Sequence, residues 1–334
     1  MSPAHGHDPG HVPDAEPTAA SGLEWQAYVD WLAETEGSLT AAADRLAARR
    51  GYKDDVATVE RALRRLRHRG NRDGGVWGAR ALEAFGVPGG VTQRLEWMAS
   101  YHSRFTDLPV PLCADLVRAW DRPPINGSRL VQAWLALAHA SVALRRSDLP
   151  AAVAHLDAAR PAIAAGPPEV RIEDALVRAY VASRSDPHAV ADLLRAASAL
   201  LEGVKGAEAR ACFHARITDH TTYALGRRTP PDHEAAAALW NDVPMANAPP
   251  FVLARRASGL AYARWKMGLR DEAEALAREA AEHAGDGGHV RLRVMALSLL
   301  SRIAHGSEAE RARARALSIA QRLDDETLRL RLRR

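Results

Sequence analysis

Histidine is the residue type in this chain best suited to chemistry, and there are 14 of them in 334 residues. His5, His7 and His11 lie close together near the start and can hold a transition ion weakly. Their surroundings, rich in Pro, Gly and Ala, supply no second layer of contacts to fix the imidazole rings, so a structural or catalytic metal is not expected there. His214 and His220 share a predicted helix with Asp219. A six-residue gap turns them far round from one another, unlike the four-residue gap that lets two histidines on a helix grip zinc. Cys113 and Cys212 are the only cysteines. Both fall on predicted helices and no CxxC spacing exists, which implies two reduced, half-buried thiols and neither a disulfide framework nor a cysteine-rich zinc site.

Other catalytic signatures are equally thin. No glycine-rich loop ends in Gly-Lys-Ser or Gly-Lys-Thr, and the stretch Gly86-Val87-Pro88-Gly89-Gly90 reads as a plain loop. Ser185-Asp186-Pro187-His188 brings three reactive types together, but neighbours at a helix start cannot form a triad, and capping accounts for Ser185 or Asp186. No catalytic residue, metal or cofactor is assigned. Of the tryptophans, Trp134 is expected in the core, Trp240 and Trp265 between helical pairs, and Trp97 with Tyr101 in a seam between domains.

Charge gives a sharper signal. Lys and Arg number 45 against 41 Asp and Glu, for a net +4. Between Asp44 and Arg80, eleven basic residues face five acidic ones, an excess larger than that of the whole chain. With Val59, Ala62, Leu63 and Leu66 turned inward, Arg61, Arg64, Arg65 and His68 form one outward ridge, since residues three and four apart share a helix face. Like charges at that spacing repel unless an anion offsets them. Phosphate does so, and a helix of about 15 residues fits a major groove. Acidic protein surfaces offset them too, because guanidinium pairs well with carboxylate.

The elements that must position these residues are helical. Ala, Leu and Arg dominate, while only 5% of residues are aromatic, a composition that favours helix over sheet. Residues 1–22 lack a continuous apolar core and are expected to be a disordered tail. The pattern then predicts a helix ending by Gly37 and a second over Leu39–Ala48, capped by Ser38 or Thr40. A third starts at Asp54 or Asp55 and ends by Arg69. Asn71 to Gly75 form a polar turn. Helices are predicted over Ala79–Phe85, Val91–Phe105 and Leu112–Trp120, and Asp121–Gly127 marks a boundary. The basic domain is thus 23–122, with its core at 23–77. From 128 to 334, longer helices open near Leu130, Val170, Glu208, Val252 and Val290, the spacing of a stack of helical hairpins. No run approaches the length of a membrane span.

Two resemblances follow. Ala261-Tyr262-Ala263-Arg264-Trp265-Lys266-Met267-Gly268-Leu269-Arg270-Asp271-Glu272-Ala273 resembles the middle of a tetratricopeptide repeat. The pair Val131–Arg145 and Ala151–Ala164 is similar to a second copy. This likeness spans roughly the C-terminal 200 residues and implies a groove that receives protein or peptide. Leu39-Thr40-Ala41-Ala42-Ala43-Asp44-Arg45-Leu46 resembles the first helix of a helix-turn-helix module. That likeness makes the helix from Asp54 the reader and Asn71–Trp77 a stunted wing, with Arg72 reaching a phosphate.

The expected fold is therefore all-α: a basic, helix-turn-helix-like domain followed by an α-solenoid of repeat hairpins. The expected function is a cytoplasmic DNA-binding regulator whose repeats hold a partner or effector. Arg61, Arg64, Arg65, His68 and Arg72 are its candidate contacts to double-stranded DNA. The alternative is an adaptor or assembly factor whose surfaces meet only protein. A homo-oligomer is compatible with either.

Overall fold

The computed structural model of the chain describes residues 23–49, 54–184 and 186–333. The predicted tail, the turn Arg50–Lys53 and Ser185 lie outside the described residues, which contain helices, turns and no strand.

Three helices open the fold: α1 (Trp25–Glu36), α2 (Leu39–Ala47) and α3 (Val56–Arg67). Each touches the other two. Ser38 starts α2 by accepting the Ala41 N–H at 3.0 Å, and Asp55 starts α3 by accepting the Thr58 N–H at 2.7 Å, which satisfies donors a helix start leaves open. Trp25, Tyr28 and Leu32 of α1, Ala43 and Leu46 of α2, and Val59 and Leu63 of α3 share one core. The next helix, α4 (Gly75–Phe85), lies against them. Gly78 is needed there, because a Cβ would stand 2.7 Å from the Trp25 ring. Leu63 is fully buried. Leu63→Ala is expected to cost about 2–5 kcal/mol in a urea unfolding titration, and a value near zero would contradict this packing.

Two further helices, α5 (Gly89–Ala99) and α6 (Val110–Trp120), pack against the first long helix of the repeat region, α7 (Arg129–Arg145). Leu95, Met98, Val110, Cys113 and Val117 share a core with Val131, Trp134 and Ala138, so apolar packing runs on across 121–127. The sequence pattern predicts one helix over Val91–Phe105. Instead α5 stops at Ala99, Ser100 turns extended, and a 3-10 turn occupies Arg104–Asp107.

The repeat region continues with α8 (Leu149–Ala158), α9 (Arg160–Ala164), α10 (Pro168–Ala182), α11 (Pro187–Ala199), α12 (Ala207–Leu225), α13 (His233–Asn241), α14 (Pro250–Lys266), α15 (Arg270–Asp286), α16 (Val290–Ile303), α17 (Gly306–Leu323) and α18 (Glu326–Arg333). The second helix of the first pair splits at Ala159, two residues before Pro161, which has no N–H to carry the ladder onward. Asp148, Asp186 and Asp232 cap α8, α11 and α13.

Helices pair as α7 with α8, α10 with α11, α12 with α13, α14 with α15 and α16 with α17. The first members also touch in order, α7 to α10 to α12 to α14 to α16. This is a repeat-like stack of helical pairs. Alanine makes it tight: Ala257, Ala261, Ala273, Ala277 and Ala280 are all buried between α14 and α15, where small side chains let backbones approach. The last helix, α18, returns to α7. The Thr327 hydroxyl donates to the Leu144 carbonyl at 2.5 Å and lies 3.1 Å from the Ser147 hydroxyl. The stack thereby closes on its own beginning.

Candidate functional site

The ridge on α3 forms, and its side chains face water: Arg61, Arg64, Arg65, His68 and Arg72 are all exposed. Its charges, and those around it, are answered only in part from within. Arg64 pairs with Glu60 one turn back, while Arg61 turns onto the Ala57 carbonyl and the Thr58 hydroxyl at 3.3 and 3.2 Å. Arg45 pairs with Glu36, Arg67 with Asp30 at 2.7 Å, Arg80 with Asp54 at 2.8 Å, and Arg49 with Glu83 at 4.0 Å. Glu36 and Asp30 come from α1 and Glu83 from α4, outside the basic window. Folding therefore lays carboxylates on cations that a count along the chain leaves alone. Such exposed pairs stabilise little, but they weaken the field of the patch. Arg65, His68 and Arg72 keep side chains without a bonded partner among the described residues.

A different set of charges gathers inside the stack. The segment between α5 and α6 reaches onto the side of the stack formed by the first helices of successive pairs. The Tyr101 N–H donates to Glu173 Oε1 of α10 at 3.0 Å. Its hydroxyl accepts from Arg255 of α14 at 3.0 Å and Arg291 of α16 at 2.6 Å. The guanidiniums of Arg216, Arg255 and Arg291 lie 4.9, 5.3 and 5.2 Å from the centre of its ring. Arg104 donates to the Gly287 carbonyl at 2.5 Å, and Asp107 accepts the Arg291 N–H at 2.7 Å. One short segment thus fastens to α10, α14, α16 and the turn before α16.

Carboxylates hold the buried cations in place. Glu173 takes Arg216 through both oxygens, and Asp219 takes Arg255 at 2.6 Å. Asp325, fully buried, takes Arg145 at 2.9 Å and Arg291 at 3.0 Å. Burial would raise the Tyr101 hydroxyl, yet Arg291, Arg255 and Arg331 together pull it below the usual phenol range. These three guanidiniums outweigh burial and the Asp219 carboxylate there. Burial pushes His102 and His220 down to about 4, each against a neighbouring carboxylate, Glu173 or Asp219. Both are neutral at pH 7. Their protons bind more tightly in the unfolded chain, so their contribution is full above the ordinary histidine range. It is lost as pH falls from about 6.5 toward that folded value. Unfolding titrations at pH 7 and 5 are expected to give a lower stability at pH 5.

The register of the first helices extends this site. Glu173, Arg216, Arg255 and Arg291, on α10, α12, α14 and α16, are aligned with one another by their shared contact with Tyr101. Seven residues further along stand Tyr180, Tyr223, Tyr262 and Ser298; eleven further stand Arg184, Arg227, Lys266 and Arg302. Seven residues is close to two whole turns, so the tyrosines continue the same face; Lys266 and Arg302 stand in the last turns of α14 and α16, and Arg184 and Arg227 in the turns just past α10 and α12. Contacts agree. Arg184 lies 5.1 Å from the Tyr180 ring centre and donates to its hydroxyl at 2.9 Å. Arg227 and Lys266 lie 5.9 and 5.7 Å from the rings of Tyr223 and Tyr262. Arg302 crosses to the Trp265 ring of α14 at 5.2 Å. Tyr223 is 52% exposed and Tyr262 40%. None of Arg184, Arg227, Lys266 and Arg302 has a carboxylate partner among the described residues.

Sequence inspection puts Trp97 and Tyr101 together in a seam between domains; Trp97 packs on Phe105 while Tyr101 meets the first helices, and the four first-helix positions and the rows beyond them are missed. The recurring seven- and eleven-residue offsets were the available signal. Neither cysteine is poised for attack: burial raises both thiols, Cys212 to about 12. Among the described residues, no group of three His, Cys, Asp or Glu is placed to hold a metal ion, and no helix is long and apolar enough to cross a membrane. No family model, curated protein or solved structure matches the chain.

Proposed function

We propose that the chain is a protein-binding scaffold, an adaptor or assembly factor whose first-helix face receives a segment of a partner. The observation that carries this is the contrast between the two basic surfaces. On α2 and α3, Arg45, Arg64 and Arg67 meet carboxylates of their own molecule and leave Arg61, Arg65, His68 and Arg72 without one, whereas the row Arg184, Arg227, Lys266 and Arg302 meets none at all among the described residues and lies beside the exposed rings of Tyr223 and Tyr262. A stack of helical pairs offers such a face for binding, and the scaffold as proposed performs no reaction of its own.

Purification of the tagged chain from its own cells, with nuclease treatment, tests this. A defined protein is expected to co-elute and to be lost from the double variant Tyr223→Ala, Tyr262→Ala. Recovery of nucleic acid alone would overturn it. Double-stranded DNA is the rival partner, through exposed Arg61, Arg65, His68 and Arg72. It would show itself as duplex affinity that falls steeply with salt and drops when Arg61, Arg64 and Arg65 become Ala.

A further inference from the structure

Two halves of the face formed by the first helices differ in a way that narrows what the scaffold takes. The half nearer the starts of α12, α14 and α16 is filled by the chain itself. Tyr101 stacks with Arg216, Arg255 and Arg291, and its backbone is fixed by Glu173. Every cation there has an oxygen partner: Arg216 on Glu173, Arg255 on Asp219 and Tyr101, Arg291 on Asp325 and Tyr101. The other half, toward the ends of the same helices, carries exposed tyrosines and cations with no carboxylate among the described residues.

We infer that this open half binds an extended acidic segment of a partner protein, its carboxylates meeting Arg184, Arg227, Lys266 and Arg302 while its backbone lies along Tyr180, Tyr223 and Tyr262. This deepens the scaffold function proposed above and rests on it. Charge complementarity selects the occupant. Four cations stand in one row, and three tyrosines beside them supply rigid contact surface and hydroxyls at small entropic cost. Packed helices stand about 8–10 Å apart, a distance an extended chain covers in about three residues. An acidic side chain at every third position therefore meets successive cations. Nucleic acid fits less well, because each of these tyrosine rings is already approached by the cation four residues on.

The test uses the full chain and two labelled peptides, (Glu-Gly-Ser)4 and (Gln-Gly-Ser)4, read by fluorescence anisotropy at low salt. The Glu peptide is expected to bind and the Gln peptide not to. The triple variant Arg227→Ala, Lys266→Ala, Arg302→Ala is expected to weaken the Glu peptide by about tenfold or more; Arg45→Ala, on the front surface, is expected to leave it unchanged. These four positions are exposed, and circular dichroism of each variant confirms that helix content is kept. Equal binding of both peptides, no binding of the Glu peptide, or tighter binding of oligo-dT to the same row would each overturn the inference. If the peptides fail while a nuclease-resistant protein still co-elutes and is lost from the tyrosine variant, the scaffold function stands and only the acidic occupant falls.

Discussion

Asp325→Ala is expected to destabilise the protein by about 3–5 kcal/mol, the usual result of removing one partner from a buried ion pair. Asp325 is fully enclosed and its Oδ2 receives both Arg145 of α7 and Arg291 of α16. The other oxygen accepts the Leu328 N–H at 3.0 Å and so starts α18. Alanine leaves two guanidiniums buried without a counter-charge and removes the cap as well. Asp325→Asn keeps an acceptor for the Leu328 N–H and is expected to lose less. Burial pushes the Asp325 carboxyl up, but Arg291 and Arg145 hold it below the ordinary carboxylate value. Its contribution in the native chain is therefore present above that value and lost only in stronger acid. Urea titrations at pH 7 measure the loss; a change under about 1 kcal/mol, the usual worth of a surface pair, would show that the triad is not desolvated.

The second large effect is expected at Glu173, which is nearly inaccessible and serves two elements at once. It neutralises Arg216 and accepts the Tyr101 N–H. Glu173→Gln removes the charge while nearly conserving shape, so Arg216 is left buried and unpaired. A loss of about 3–5 kcal/mol is expected. Because the segment around Tyr101 is held from this residue, local opening is expected to rise more than global unfolding. Trypsin reports that directly, since Arg104 is exposed and sits within the segment. Faster cleavage at Arg104 under native conditions is the expected outcome. Unchanged cleavage with lowered global stability would show that Glu173 holds only the helices.

Much of the framework could be read from residue order. The first helices begin within two residues of the predicted starts, as at Pro168 against Val170 and Pro250 against Val252. Ser38, Asp148 and Asp186 act as caps because short polar side chains bond the open N–H groups of the next turn. These are local effects, decided within a turn or two. The segment 100–107 was illegible for the opposite reason. Nothing at Ser100 breaks a helix; the chain departs because its partners lie on α10, α14 and α16, up to 190 residues away. The ridge on α3 was legible as a row of side chains but not as an electrostatic surface. Asp30 and Glu36 lie outside the basic window along the chain yet beside Arg67 and Arg45 in space. The open row of tyrosines and cations was written in the sequence as a repeat of offsets, visible only when the four first helices are laid side by side.

The return of α18 onto α7 alters how the molecule should respond to force and heat. A linear array can peel from either tip, one unit at a time, and flex like a spring as it takes up cargo. Here the tips are clasped through Thr327 and the Arg145–Asp325 pair, so no unit is terminal and none can fray alone. Melting should then be a single event despite the modular build, and the spacing of the first helices should stay fixed as cargo is taken up.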